Sequence, residues 1–229
     1  MNVVGLRARP LPASVSRRRK AQRKSVPARQ VGGSGAGTCG RIHRICKAAF
    51  MATTRALVLD DARSLANLVL VNRDFLAPWQ PDRPDQYFTR DGQLAFIQRL
   101  LEQQAAKVCL PLVILDEVGA IAGTVTLQSI IRGAFQSCSV GYWLAESAQG
   151  RGLATRAVGE ATKIAFEVLR LHRVQAETLT HNLRSQRVLE RLGFVQYGRA
   201  EAYMHIAGEW QDHFLYQLLT PTPEHVPTR

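Results

Sequence analysis

Apolar residues recur along the chain at two different spacings, and the spacing predicts which segments are strands and which are helices. Recurrence at every second residue, or a short apolar run bounded by turn residues, predicts a strand, whereas recurrence three and four residues apart predicts a helix. The predicted strands span residues 55–59, 110–115, 120–131, 137–144, 173–178, 195–206 and 210–219, and the predicted helices span 61 to about 75, 91 onward, 154–169 and 185–192. This order predicts an α/β fold with a mixed, mostly antiparallel sheet flanked by helices.

A turn with two glycines, Gln149-Gly150-Arg151-Gly152-Leu153-Ala154, lies between a predicted strand and a predicted helix. The glycines allow the backbone to approach a ligand closely, and the first amides of the helix have no acceptor within the helix. Such a turn can bind an anion, although an ordinary tight turn has the same composition. A dinucleotide-binding fold is excluded, because the turn follows an antiparallel meander and no acidic residue ends the next predicted strand.

The excess positive charge of the chain is confined to its first fifty residues. The net charge is +12; residues 1–50 hold 12 Lys and Arg and no acidic residue, so the 18 basic and 18 acidic residues of 51–229 cancel. We predict a disordered basic arm at 1–50, a folded domain at 51–220 and a short tail at 221–229. The arm could contact RNA or the ribosome through phosphate groups, or it could be missing from a mature protein whose translation starts at Met51.

Cysteine content and hydropathy narrow the class of protein further. The 229 residues are 46% hydrophobic, which is enough for one sizeable core. Four cysteines are too few for a disulfide framework, and Cys39, His43 and Cys46 have no second pair of ligands, so no metal is expected. No apolar run is long enough to span a bilayer, and the basic start lacks the apolar core of a secretory signal. We therefore expect a cytoplasmic protein with no membrane partner.

The glycine turn carries a family signature. Gln149, Gly152 and Ala154 match the pattern Gln/Arg-x-x-Gly-x-Gly/Ala, and the predicted elements around it make the chain resemble the GNAT acetyltransferases from residue 53 to residue 219. The resemblance implies a single GNAT-fold domain that uses acetyl-CoA as acetyl donor. It implies that the pyrophosphate is bound by Gln149, Gly150, Arg151, Gly152, Leu153 and Ala154. A helix N-terminus carries about half a positive charge, which agrees with that assignment.

A second segment, from His181 to Phe194, resembles the part of GNAT enzymes that flanks the pantetheine arm of the cofactor. The resemblance implies that Asn182 binds the amides of pantetheine and that Ser185 donates to the departing sulfur; both side chains have the required donors and acceptors. The structural alternative is that Ser185 caps the following helix and Asn182 forms the preceding turn.

Three further segments, residues 75–79, 132–137 and 206–213, resemble the ribosomal-protein alanine N-acetyltransferases within that family. The resemblance implies that the acceptor is the N-terminal α-amine of a ribosomal protein. An α-amine with a pKa near ~8 costs roughly 3 kcal/mol less to deprotonate at neutral pH than a lysine near ~10.4, so a weak base suffices. We expect Trp79, Tyr203 and Trp210 to bind this acceptor, with His205 and His213 as further candidates for the same groove.

The expected mechanism is direct attack of the neutral amine on the thioester in a ternary complex. Backbone amides at Trp143 and Leu144 are expected to hold the thioester oxygen, and Ser185 is the candidate acid. Related enzymes have a carboxylate near the start of the penultimate strand, where this chain has an alanine beside Glu201. We expect Glu201 to be the base; if its side chain points away from the pocket, a water or Glu177 must serve.

Two other functions fit the same residues. One is acetylation of a small amine such as an antibiotic or a metabolite, because the same scaffold supports such acceptors. The other is a basic adaptor without catalytic activity that binds the ribosome through residues 1–50.

Overall fold

The computed structural model describes residues 52–220, so the predictions for the basic arm, for Cys39, His43 and Cys46 and for the tail at 221–229 lie outside the described residues. Residues 52–220 form seven strands: β1 (Thr54–Ala56), β2 (Leu110–Leu115), β3 (Ile121–Ile131), β4 (Ser137–Leu144), β5 (Arg173–Leu179), β6 (Val195–Ile206) and β7 (Glu209–Leu219). They make one sheet in the order β1-β2-β3-β4-β5-β7-β6. The β4–β5 pair is parallel and the other pairs are antiparallel, so the predicted mixed sheet is confirmed.

The helices pack on both faces of this sheet. They are α1 (Ala62–Val71), α2 (Arg73–Leu76), α3 (Arg90–Ala105), α4 (Leu153–Lys163, followed by a π-helical turn at Ile164–Val168) and α5 (Leu183–Arg191). In this part of the chain, no helix combines the length and the apolar content needed to cross a bilayer.

The alternation of side chains along the strands gives the sheet two separate cores. On one face, which we call the α4 face, Val140 of β4 and Val174 of β5 pack with Ala157 of α4 and Leu189 of α5. On the opposite face, the α1 face, Trp143 of β4 packs with residues of α1 and α3. A residue's position along β4 or β5 therefore decides which face of the sheet its side chain reaches.

The sheet opens between its two central strands. β4 and β5 pair only from Ser137 to Ser139 and from Arg173 to Gln175. Beyond these three pairs, the remaining residues of both strands line a cavity instead of pairing with one another. The opening lies at the carboxyl end of β4, directly before the glycine turn.

The first predicted helix is interrupted at Asn72. The Asn72 side chain donates to the backbone oxygen of Leu68 (2.8 Å) and accepts from the backbone N–H of Glu146 (2.8 Å). It therefore ties the end of α1 to the turn after β4, and the chain continues as the separate helix α2. The predicted first strand was too long, because Leu59 begins a 3-10 turn.

Glu160 of α4 fixes the first strand to the helix that follows the glycine turn. Its carboxylate accepts from the backbone N–H of Thr53 (2.8 Å), from that of Thr54 (2.9 Å) and from the Thr54 hydroxyl (2.6 Å). Both threonines are buried, so water does not readily replace these bonds.

Replacing Glu160 with alanine should lower the free energy of unfolding by about 2–4 kcal/mol, because it leaves buried donors without an acceptor. The matched control is Glu167→Ala, which removes an exposed carboxylate 4.0 Å from Lys163 and should cost less than about 0.5 kcal/mol. Urea unfolding of both variants measures the difference. Equal losses would contradict the role given to Glu160.

Candidate active site

A cavity of about 670 Å³ lies where β4 and β5 separate. Its lining comes from both faces of the sheet: Val188 and Leu189 of α5 lie on the α4 face, and Trp79 and Ile206 lie on the opposite side. The volume falls within the roughly 300–1,000 Å³ of small-molecule sites. A ligand on one face can therefore meet a second ligand on the other through the gap in the sheet.

The glycine turn forms one end of this cavity. Gly150 (φ 77°) and Gly152 (φ 73°) have left-handed backbone conformations, and Gly152 immediately precedes the first residue of α4. Gln149 and Ala154 line the cavity directly. The first amides of α4 have no acceptor one turn back, so the turn presents hydrogen-bond donors together with the positive end of a helix dipole.

The positive charge of Arg151 is paired with an acidic residue. Its guanidinium forms an ion pair with Glu117 of the β2–β3 turn, and Arg156 lies 3.9 Å from the same carboxylate. The Arg156 guanidinium also donates to the Arg151 backbone oxygen. Arg151 is thus held beside the turn and does not line the cavity.

The backbone of β4 directs one amide into the gap. On one side, the backbone N–H of Ala145 donates to the backbone oxygen of Ala122 in β3. On the other side, the backbone oxygen of Gln136 accepts from the backbone N–H of Arg173 in β5. Because successive backbone groups of a strand point to opposite sides, Leu144 directs its N–H toward the gap and Trp143 directs its own toward β3. The Trp143 side chain lines the cavity.

Asn182 caps helix α5, and Ser185 does not. The Asn182 side-chain oxygen accepts from the Ser185 backbone N–H at 3.1 Å. This arrangement leaves the Ser185 hydroxyl for other partners, so the alternative in which Ser185 is the cap is wrong. Both residues line the cavity, where the sequence predicted them to lie together.

Tyr142 is a polar residue of the site that the sequence did not single out. Its hydroxyl lies 2.8 Å from the Ser185 hydroxyl and 3.3 Å from the Ser185 backbone oxygen, and its one hydrogen can be donated to either oxygen. Burial raises the pKa of Tyr142 to about 12, despite the opposing effect of the Ser185 hydrogen bond, so the phenol is protonated at neutral pH. Its place between the core residues Val140 and Leu144 indicates its face, but only the fold brings it to Ser185.

Acidic and aromatic side chains line the other side of the gap. The Ser139 hydroxyl donates to the Glu177 carboxylate at 3.2 Å, at the point where β4 and β5 stop pairing. Asp74 lines the same cavity, and so does Trp79, whose ring centroid lies 5.7 Å from that of His181. This side combines carboxylates with apolar surface, which suits a positively charged amine.

Four residues predicted for catalysis or acceptor binding do not line the cavity: Glu201, Tyr203, His205 and Trp210. The pairing of β6 with β7 is irregular between Ala200 and Met204, and Ala202 has a left-handed backbone (φ 45°). The two-residue period on which the expectation for Glu201 depended is therefore broken, and all four side chains are exposed, Trp210 at 66%.

His213 is a buried histidine on the wall of the cavity. Its Nδ1 lies 3.0 Å from the backbone oxygen of Gln211, which can only accept, so Nδ1 carries the hydrogen. Burial lowers the pKa of His213 below its ordinary value of 6.5, although the bond to Gln211 and the nearby Asp212 oppose that effect. The ring of Tyr203 in β6 packs against the His213 ring, with 5.4 Å between the two ring centroids.

The neutral form of His213 should contribute stability that is fully present above about pH 6.5, because its pKa is lowered in the folded state. This contribution should be lost as the pH falls through the folded-state pKa. The free energy of unfolding in urea should be measured for the wild type and for His213→Gln at pH 7.5 and at pH 5. The difference in free energy of unfolding between the two proteins should be smaller at pH 5. His172→Gln, at an exposed histidine, is the control for the loss of an imidazole.

Neither described cysteine has the environment of a nucleophile. Burial raises the pKa of Cys109 to about 11 and that of Cys138 to about 12, so both thiols are protonated at neutral pH. Among residues 52–220, no group of three or more His, Cys, Asp or Glu side chains is arranged to hold a metal ion.

The chain matches a known protein family over most of the residues that form this site. Residues 53–195 match the acetyltransferase (GNAT) domain, which is more than half of the chain. The chain belongs to the GNAT acetyltransferase family. The match begins at β1 and ends at the start of β6, so it contains the glycine turn and the Asn182 segment of this acetyltransferase.

Relatives of this GNAT protein carry names of N-acetyltransferases. It is 37% identical over 173 residues to a probable N-acetyltransferase, YjcK, of Bacillus subtilis (74% of this chain, 94% of the relative). It is 35% identical over 163 residues to the ribosomal protein uS5-alanine N-acetyltransferase of Escherichia coli (70% and 84%). Among solved structures, RimJ of Mycobacterium smegmatis in complex with CoA-disulfide aligns with a TM-score of 0.71 at 28% identity (76% and 83%).

Proposed function

We propose that this GNAT enzyme transfers the acetyl group of acetyl-CoA to the N-terminal α-amine of a ribosomal protein. The observation that carries the proposal is the gap between β4 and β5, because it joins a cofactor side on the α4 face to an acceptor side lined by carboxylates. The relative that acts on ribosomal protein uS5 supports the acceptor class. A cytoplasmic location follows from such an acceptor.

The residues on the α4 face fit acetyl-CoA, which supplies an activated acetyl group as a thioester. The amides of Gly150 to Ala154 face the pyrophosphate in this proposal, because they combine unpaired donors with a helix N-terminus. The Asn182 side chain retains its amide N–H₂ as a donor for pantetheine, since only its oxygen is used in the cap. The cavity provides the volume for the arm between these two groups.

The other side of the gap fits an amine that arrives as an ammonium. Glu177 and Asp74 both line the cavity, so they attract a cation, and the Trp79 side chain offers apolar surface to the first residue of the acceptor. Tyr203 and Trp210 lie outside the cavity on the β6–β7 hairpin. We assign them to later residues of the acceptor chain and not to its amine.

Catalysis is direct attack of the amine on the thioester, with proton transfer on both sides of the gap. The Leu144 amide is the donor for the thioester oxygen, because it points into the gap. Ser185 is the acid for the departing sulfur. We place the proton acceptor at Glu177, directly or through a water, and not at Glu201, because Glu177 lines the cavity.

The proposal is tested by incubating the purified enzyme with acetyl-CoA and ribosomal proteins extracted from a strain that lacks its gene. Mass spectrometry should find one ribosomal-protein N-terminus that gains an acetyl group. A Gly152→Glu enzyme should leave that N-terminus unmodified. Turnover confined to a small amine such as a polyamine, with every ribosomal N-terminus unchanged, would overturn the proposed acceptor.

A further inference from the structure

Tyr142 and Ser185 join the two sides of the cofactor site through their hydroxyl groups. Tyr142 belongs to β4 and Ser185 to α5, and their hydroxyl oxygens are 2.8 Å apart although 43 residues separate them in the chain. Both residues line the cavity. The bond therefore links β4 to α5 on the α4 face, where the thioester arm is proposed to lie.

Both hydroxyls are held in place by their own elements. Tyr142 pairs with Val125 in the β3–β4 ladder, which fixes the strand, and its ring packs against the core on the α4 face. The Ser185 backbone N–H is bonded to the Asn182 cap, which fixes the first turn of α5. The 2.8 Å contact is thus set by the fold and not by two mobile side chains.

Two hydrogen arrangements fit this contact, and they differ in what they offer to a ligand. If Ser185 donates to Tyr142, the tyrosine hydrogen goes to the Ser185 backbone oxygen, and the pair presents no hydrogen to the cavity. If Tyr142 donates to the Ser185 oxygen, the serine hydrogen is available for an acceptor in the cavity. A sulfur that develops negative charge is such an acceptor and favours the second arrangement.

We propose that Tyr142 is a positioning residue for acetyl transfer: its hydroxyl donates to Ser185 Oγ, so that the Ser185 hydroxyl hydrogen is directed at the sulfur of departing coenzyme A. This inference rests on the proposed function. In the step, the C–N bond forms, the C–S bond breaks with its electron pair moving to sulfur, and the amine proton passes to Glu177 or water. Sulfur takes a proton from the Ser185 hydroxyl, and water reprotonates Ser185. The resulting hydroxide is neutralised by the proton released from the amine.

Tyr142 keeps its own proton throughout this step. Its pKa of about 12 makes it a stable donor and a poor proton source at neutral pH. Its contribution is to polarise and orient the Ser185 O–H group, and it therefore acts only through Ser185. That dependence has a measurable consequence, because two residues that act through one interaction have effects that do not add.

A double-mutant cycle of Tyr142→Phe and Ser185→Ala tests the inference, with kcat and the KM for acetyl-CoA measured for each protein. Tyr142→Phe should lower kcat about tenfold, as expected for one hydrogen bond, and should leave the KM for acetyl-CoA unchanged. Ser185→Ala should lower kcat about 100-fold. In the Ser185→Ala background, Tyr142→Phe should have no further effect.

Two results would overturn the inference. A Tyr142→Phe enzyme with wild-type or higher kcat would mean that the tyrosine competes with sulfur for the serine hydrogen. A tenfold loss that persists in the Ser185→Ala background would mean that Tyr142 does not act through Ser185. Tyr216→Phe, at another tyrosine buried in the α4-face core, is the control for loss of a hydroxyl and should retain wild-type kcat.

The cycle also separates this inference from the proposed acceptor. It is measured with whichever amine the wild-type enzyme acetylates, so a small-amine acceptor would overturn the proposed function and leave the Tyr142 measurement intact. Calorimetry with acetyl-CoA on all four proteins shows whether each variant still binds the donor.

Discussion

Replacing Gly152 with glutamate should reduce acetyl-CoA affinity at least about 100-fold and abolish turnover at ordinary donor concentrations. The new carboxylate would stand at the first residue before α4, beside the amides assigned to the pyrophosphate. At about 5 Å from a phosphate charge and an effective dielectric constant near 20, the repulsion is about 3 kcal/mol. Isothermal titration calorimetry with acetyl-CoA measures the loss directly.

The matched control for this variant is Gly133→Glu. Gly133 has the same left-handed backbone (φ 71°) and open space around the added side chain, but it lies in the β3–β4 turn at the other end of β4. It therefore introduces the same charge and a similar backbone strain away from the cofactor site. Wild-type affinity in a folded Gly152→Glu protein would show that the turn has only a structural role.

Replacing Glu177 with glutamine should lower kcat about 100-fold, because a general base contributes roughly 10²–10⁴ to the rate. The KM for acetyl-CoA should change little, since Glu177 lies on the acceptor side of the gap. The substitution keeps the size of the side chain and its hydrogen bond with Ser139, so a loss of fold is not expected. Steady-state kinetics with the acceptor identified from the ribosomal extract provides both constants.

Glu201→Gln is the control that distinguishes the two carboxylates. Glu201 is exposed on β6 and does not line the cavity, so this variant should retain wild-type kcat. The reverse outcome, with a loss in Glu201→Gln and none in Glu177→Gln, would restore the assignment made from the sequence and would require the β6–β7 hairpin to move on acceptor binding.

The residues proposed for the cofactor side could be selected from the sequence because the turn and the cap that they form are local. A glycine turn between a strand and a helix, and an asparagine before a short helix, lie within a few residues of the groups they position. Turn and cap preferences depend on residues that are close together in the sequence, so they can be read without knowing the fold. The succession of strands and helices along the chain likewise followed from apolar spacing and turn residues.

The acceptor side was predicted less well because it depends on long-range pairing. The bulge between Ala200 and Met204 shifts the register of β6, so no two-residue count from a neighbouring position gives the direction of Glu201. Tyr142 and Ser185 are in contact although 43 residues separate them in the chain, and nothing in the sequence near either residue indicates the other. Such contacts can be identified only from the folded structure.

The three residue pairs between β4 and β5 are also the junction between two parts of the sheet. One part contains β1 to β4 and the other contains β5 to β7. The β2–β3, β3–β4, β5–β7 and β6–β7 ladders within them are all longer than the junction between the two parts. In the proposed complex, acetyl-CoA would contact both parts, so its binding energy would add to the energy that keeps them from separating. The donor substrate would then also help to hold the sheet together.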